Sequence, residues 1–379
     1  MKTYLTIGLM SGTSMDGIDA AILETDGEAF VKSHGSVFLP YSPEFQRQLK
    51  ACESEAYQGR TCLIDITKKS TELHIQAVNQ LLKKYSLTAD EIKVIGYHGQ
   101  TLYHAPQDKI TIQIGDANLL AAQCGIDVVY DFRKNDVENG GQGAPFAPLY
   151  HQALALRDKL TPCMVINCGG ISNVTCITET DVFAFDIGPG NGLLDRFIKI
   201  KTNDKYQMDI DGKFSRQARV RAEYLEILYE ESCNSNFYQK LPPKSLDIND
   251  LRLPEKIMNL SLEEGAAALA YFTAFCIAKS LSSLDSASIC SGGRGPQSLT
   301  WVLAGGGWKN PSITHALKKL LNNPSKFHRA NELGWDGDAL EAEIFAYLAI
   351  RSLKNLPLRL PGTTGVSIPC LGGKFVARM

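Results

Sequence analysis

Tyr4-Leu5-Thr6-Ile7-Gly8-Leu9-Met10-Ser11-Gly12-Thr13-Ser14-Met15-Asp16-Gly17-Ile18-Asp19-Ala20-Ala21-Ile22-Leu23 reads as an apolar strand, a turn of small polar residues and a second apolar strand. Met164-Val165-Ile166-Asn167-Cys168-Gly169-Gly170-Ile171-Ser172-Asn173-Val174-Thr175-Cys176-Ile177 repeats the arrangement in the second half of the chain. Glycines let backbone N–H groups converge on one point and hydroxyls add donors, so each turn can cradle a phosphate. The first is not a Walker A loop, because it lacks Gly-Lys-Ser/Thr and leads into a strand. Read singly, either hairpin is equally an ordinary turn. Read together, they open each half with one supersecondary unit and predict two related α/β domains around a hinge, with a nucleotide gripped across a cleft.

The composition fits that size and class. With 379 residues, two domains are expected. Charges nearly cancel, 39 Lys and Arg against 41 Asp and Glu, which leaves no field to attract nucleic acid or an anionic membrane. No membrane span is expected, since no run of apolar residues is long enough. Met1-Lys2-Thr3-Tyr4 enters a strand within a few residues and has no signal-peptide architecture. The ten cysteines contain no C-x-x-C pair, which suits a reducing cytoplasm rather than a disulfide framework or zinc site.

Between the hairpins, Leu73, Ile75, Val78, Leu81 and Leu82 recur at helical spacing. Lys93-Val94-Ile95-Gly96 is a buried strand ending in Tyr97-His98-Gly99-Gln100-Thr101, a polar cluster where open α/β sheets tend to hold ligands. His98, Gly99, Gln100 and Thr101 are therefore substrate-binding candidates, with His98 fitting a structural hydrogen-bonding role as well. Asp116 is placed to cap a helix through Cys124. Asp131-Phe132-Arg133 runs into Asn139-Gly140-Gly141-Gln142-Gly143-Ala144-Pro145, read as a crossing between domains. Leu260 to Ser283 is a long apolar helix, and the last helix, after Asp336, returns the chain to the first domain.

The chemistry concentrates at a few positions. Asp186 closes an apolar strand before Ile187-Gly188-Pro189-Gly190-Asn191, where a carboxylate serves as a general base or simply caps the turn. Asp16 and Asp19 flank the first turn, and either can hold a Mg²⁺-bound water or remain merely solvated. Gly305, Gly306 and Gly307, with Asn310 after them, let a base or ribose approach the backbone, or form a plain strand-to-helix turn. Arg133 suits a substrate carboxylate through paired hydrogen bonds, or a surface ion pair with Asp131 or Asp136. Glu341 is a substrate candidate or an exposed helix residue. No His-x-x-x-His or Gly-x-Ser-x-Gly pattern occurs, which disfavours metal-hydroxide and serine-nucleophile mechanisms.

These motifs, in order along nearly the whole chain, resemble bacterial anhydro-N-acetylmuramic acid kinases. The resemblance lies in the opening Gly8 to Asp19, in Tyr97–Thr101, Asp131–Arg133, Asn139–Pro145, Asn167–Asn173, Asp186–Asn191, Gly305–Asn310 and Glu341-Ala342. It implies two actin-like (ribonuclease H-like) domains of the actin, hexokinase and heat-shock ATPase fold, closing over ATP. The domains are expected at residues 1–130 plus 350–379 and at 131–349. The resemblance further implies that Gly12, Thr13, Ser14, Met15, Asp16, Gly17, Ile18 and Asp19 bind ATP, with Gly169, Gly170, Asn173, Gly305–Gly307 and Asn310. Asp186 maps onto the catalytic base, and Arg133 and Glu341 onto the sugar site. Mg²⁺ is expected through ATP, without a direct protein ligand. The implied enzyme is a cytoplasmic homodimer that opens 1,6-anhydro-N-acetylmuramic acid, phosphorylates O6 and recycles cell-wall sugar.

Two departures and two alternatives stand beside it. Ile187 replaces the family's threonine after the base, and Ser291-Gly292-Gly293-Arg294-Gly295 is a further glycine cluster without an assigned role. An ordinary hexose or hexosamine kinase would use Asp186 on a sugar hydroxyl directly. An actin-like ATP switch would need a polymer interface or an appended peptide-binding domain, and none is expected after Met379.

Overall fold

The computed structural model describes residues 2–56, 63–233, 237–240, 242, 244–246, 248–286, 299–321, 327–335, 337 and 339–378. The Ser291–Gly295 cluster lies outside them. The chain divides into two compact units, Met1–Lys159 with Asp338–Met379, and Leu160–Gly337.

In the first unit the opening stretch forms β1 (Tyr4–Ser11) and β2 (Gly17–Thr25), followed by β3 (Val31–Pro40). β4 (Ile95–Ala105), β5 (Ile110–Ile114) and β6 (Val128–Tyr130) come next. The sheet runs β3-β2-β1-β4-β6, with β5 paired to β4 beside this path. β1, β2 and β3 are antiparallel neighbours, while β1–β4 and β4–β6 are parallel. Ile7, Leu9, Ile18, Ile22 and Ile95 are completely buried in one core with Val78 and Leu81 of the helix Leu63–Tyr85. Each such side chain contributes roughly 1.5–3 kcal/mol by leaving water. Asp116 caps the helix Ala117–Cys124 by accepting from Leu119 N at 3.0 Å.

The second unit repeats the plan. β7 (Cys163–Cys168), β8 (Ile171–Ile177), β9 (Val182–Pro189), β10 (Thr300–Ala304) and β11 (Phe327–Arg329) assemble in the order β9-β8-β7-β10-β11. The first three are antiparallel and the last two pairings parallel, matching the first unit strand for strand. Helices Gly192–Lys201, Leu262–Ser286 and Pro311–Leu321 supply the remainder of its core.

The unit boundaries differ from those expected at 130/131 and 349/350. Residues 131–159 and the helix Leu340–Leu353 pack with the first unit. That helix lies on β1, β2 and β4, and its residues Ala342–Ile350 are buried. The short strand β12 (Lys374–Val376) then pairs antiparallel with β6.

Candidate active site

The first turn is held from below and open above. Gln100 of β4 donates from Nε2 to Gly12 O at 2.7 Å and to Thr101 O at 3.0 Å. Met15 adopts a left-handed backbone (φ 52°) and buries its side chain with Ile18 in the core. Gly17 is walled in, since a Cβ there would lie 2.5 Å from Leu39 O. Gly12 meets no such wall: a Cβ would have only Met10 Cε, at 3.4 Å. Thr13, Ser14 and Asp16 are exposed and Asp19 half-buried, with Ser14 Oγ donating to Asp16 Oδ1 at 2.6 Å. From Gly12 to Asp19, Met15, Gly17 and Ile18 are thus buried, while Thr13, Ser14 and Asp16 are open to solvent.

β4 carries a bulge beside this turn. Leu9 pairs with Tyr97 and Ser11 with Gln100, so His98 and Gly99 together oppose Met10. Gly99 is left-handed at φ 76°, and a Cβ there would lie 2.6 Å from Ile114 O. His98, Gln100 and Thr101 are 3%, 0% and 4% exposed. All three side chains are buried: both His98 ring nitrogens and the Gln100 Nε2 bond to protein, while Gln100 Oε1 and Thr101 Oγ1 have no hydrogen-bond partner among the described residues.

Arg133 is half-buried near this bulge. Its Nε donates to His98 Nε2 at 2.9 Å, its Nη1 donates to Gly143 O at 2.8 Å, and its guanidinium lies 4.4 Å from the Phe146 ring centre. Burial lowers its pKa to about 10, opposed by Glu341 and then Asp136, so it stays charged at neutrality. Glu341 is exposed on the first turn of its helix and feels the charges of Arg133 and Asp16. Asp136 was weighed in the sequence only as an ion-pair partner. It is buried and accepts from Gly143 N at 2.6 Å and Thr364 Oγ1 at 2.7 Å, which pins the glycine-rich loop carrying Gly143 O.

In the second unit Asp186 faces Asn173 across β9 and β8, at a register shift that leaves Ile187 as the extra residue. Asp186 is half-buried while Ile187 is completely buried in the core. The Ile187 side chain therefore packs inward. Asp186 N donates to Lys244 O at 2.9 Å, and Leu246 N donates to Asp186 Oδ2 at 2.8 Å. Burial raises the Asp186 pKa to about 6, against the opposing pull of the Leu246 N–H and the Lys244 charge. Such a carboxylate is ionised at neutral pH and basic enough to take a proton.

The second glycine turn is docked on the chain that follows β9. Gly170 O accepts from Gly190 N at 3.0 Å, and Gly169 O accepts from Asn191 N at 2.8 Å. After β10, Gly305 is left-handed (φ 94°), and a Cβ on Gly307 would lie 2.4 Å from Cys168 Sγ. Between them Gly306 is exposed, with nothing within 4 Å of where its Cβ would stand. Asn310 is buried; its Nδ2 donates to Asp209 Oδ2 at 3.0 Å and its Oδ1 accepts from Ser312 N at 2.9 Å. Both ends of its amide are thus tied to the loop around it. Asp209 was not singled out in the sequence, nor was Asp195, whose pKa burial raises to about 6. The Asp-x-Asp-Gly run at 209–212 is the signal that points to Asp209, a turn-forming pattern.

Two units with one strand order, antiparallel 3-2-1 extended by parallel 4-5, define the actin-like, ribonuclease H-like class. Each carries a glycine turn between its first two strands. The family model for anhydro-N-acetylmuramic acid kinase matches residues 4–377. The chain belongs to that family, and is thereby a kinase with an alcohol acceptor. The anhydro-N-acetylmuramic acid kinase of Agrobacterium fabrum is 42% identical, over 98% of this chain and 98% of its own. That of Nitrobacter winogradskyi is 40% identical, over 97% and 98%. Among solved structures, component A of the (R)-2-hydroxyglutaryl-CoA dehydratase of Acidaminococcus fermentans is similar at TM-score 0.46 and 11% identity, over 92% of this chain and 99% of that one. That likeness is too distant to bear on function.

Proposed function

We propose that this chain converts 1,6-anhydro-N-acetylmuramic acid, ATP and water into N-acetylmuramic acid 6-phosphate and ADP, as a step in peptidoglycan recycling. The observation that carries the reading is the half-buried Asp186, held by Leu246 N and poised near pH 6. The substrate's O6 is tied to C1 and has no proton to lose, so a base must act elsewhere. Asp186 takes a proton from water, whose oxygen attacks C1. The C1–O6 bond breaks, O6 attacks the γ-phosphorus, and ADP leaves with the electrons of the broken P–O bond.

The other residues position and stabilise. Gly12, Thr13 and Ser14 line the open turn and suit phosphate oxygens; Gly306 offers bare backbone to the nucleoside. Asp16 and Asp19 are hard oxygen donors beside that turn and fit a Mg²⁺ held by phosphates and water. The metal would neutralise charge on the phosphoryl oxygens. Arg133 and Glu341 are assigned to the sugar, Arg133 to its lactyl carboxylate. A cytoplasmic homodimer belongs to the same reading; no helix among the described residues is long and apolar enough to cross a membrane.

The test is a transfer assay with the anhydro sugar and MgATP, read by mass spectrometry. The expected product has gained one HPO₃ and one H₂O. Phosphorylation of reducing hexosamines alone, with no water gained, would favour the direct sugar kinase.

A further inference from the structure

A chain of hydrogen bonds links the first turn to Arg133. Ser11 Oγ donates to Gly99 O at 3.0 Å, and His98 Nδ1 donates to the same carbonyl at 2.8 Å. His98 Nε2 accepts from Arg133 Nε at 2.9 Å, and Arg133 Nη1 donates to Gly143 O at 2.8 Å. The partners fix the tautomer, since a carbonyl only accepts and a guanidinium only donates. His98 therefore carries its single proton on Nδ1 and is neutral. Its ring is clamped between Phe345, at 4.6 Å, and Phe146, at 6.1 Å edge-on. Burial, then the Arg133 charge, push its pKa well below the usual histidine range. With both nitrogens engaged and 3% exposure, it has neither a proton to exchange nor a face for the sugar.

We propose that His98 is a positioning residue: as a neutral acceptor it fixes the Arg133 guanidinium so that Nη2 is aimed at the carboxylate of the sugar substrate. Within the described residues Nη2 donates no hydrogen bond, while Nε and Nη1 are committed. The Gly99 bulge is what turns the imidazole to that task. The proposal rests on the reading above that Arg133 binds the substrate carboxylate.

Two isosteric variants of the full chain separate the two bonds. His98→Asn puts an amide N–H where Nδ1 stands and keeps the Gly99 bond, but cannot reach Arg133. His98→Gln puts an acceptor where Nε2 stands and keeps the Arg133 bond. With 1,6-anhydro-N-acetylmuramic acid as the probe, H98N is expected to raise the sugar KM at least about tenfold, the scale of a lost bond to a charged group. H98Q is expected to stay within about threefold of the parent, as are kcat and the ATP KM of both. The double variant H98N/R133K is expected to be no worse than R133K alone, because both act through one guanidinium. Additive costs, an H98Q worse than H98N, or an ATP KM that rises in step would overturn the proposal. If R133K is costly and H98N harmless, His98 alone loses its role. If R133K leaves the sugar KM unchanged, the Arg133 reading fails and this one with it.

Discussion

Gly8 of β1 and Gly96 of β4 lie side by side in parallel register, and the helix Leu340–Leu353 rests on both. A Cβ on Gly8 would stand 1.8 Å from Ala342 O, and one on Gly96 2.0 Å from Phe345 O. The pair of glycines makes a flat place on the sheet where a helix backbone can touch strand backbone. That seat is what brings Glu341 into electrostatic reach of Arg133 and Asp16.

Gly96→Ala should therefore destabilise the first unit. The new methyl group has no torsion to escape by and the carbonyl it meets is helix backbone, so the cost is that of overpacking, about 1–3 kcal/mol or more. At roughly 2–4 °C per kcal/mol for a unit of this size, calorimetry should show a drop of several degrees. Gly306→Ala is the control, with nothing within 4 Å to meet its methyl group. Equal melting temperatures for the two variants would mean the helix is not seated as described.

Asp186→Asn keeps size and removes the base. Turnover should fall at least about 10²-fold while ATP binding survives. Stability should move the other way. The folded carboxyl has its pKa raised to about 6, so its ionised form costs stability above that pH, and the cost vanishes as pH falls below the unfolded value. The variant should melt at or above the parent at pH 8, with the gap closing by pH 4. In the parent, kcat should fall as pH drops through about 6. A variant that melts lower at pH 8 would show that the charge is not under strain.

Much of this was readable from the residues. The two hairpins gave the doubled sheet, because alternating apolar strands broken by Gly, Ser and Asn have few other solutions. Asp186 sits half-buried in β9 as read, but it does not close the strand: β9 continues through a bulge at Ile187 to Gly188 and Pro189, which pair with Ser172 and Ile171. What was hidden is orientation. Polar residues after a strand can point outward or under a neighbouring turn, and only the Gly99 bulge decides that His98 points to Arg133 and not to solvent. Asn310 looked available for a nucleotide because its partner Asp209 is about a hundred residues away in sequence. The boundary shift has the same origin, since nothing in Gly8 or Gly96 names the distant helix that will rest on them.

Gly12→Val tests the open turn. Only Met10 Cε lies within reach of a new Cβ, so the fold should persist and the unliganded melting temperature should change little. The branched side chain would occupy the space above the turn. MgATP should then raise the melting temperature far less than in the parent. An equal MgATP shift in both proteins would place the phosphates elsewhere.

The central claim is that Asp186 activates water against C1 while O6 receives the phosphoryl group. It is tested by running the reaction in water enriched with heavy oxygen and quenching early, before the free anomeric hydroxyl exchanges with solvent. The expected product carries the label at C1, none in the phosphate ester, and inverted configuration at C1. Label in the phosphate ester, or an unlabelled C1 at the earliest times, would contradict it and favour direct phosphorylation of a sugar already opened.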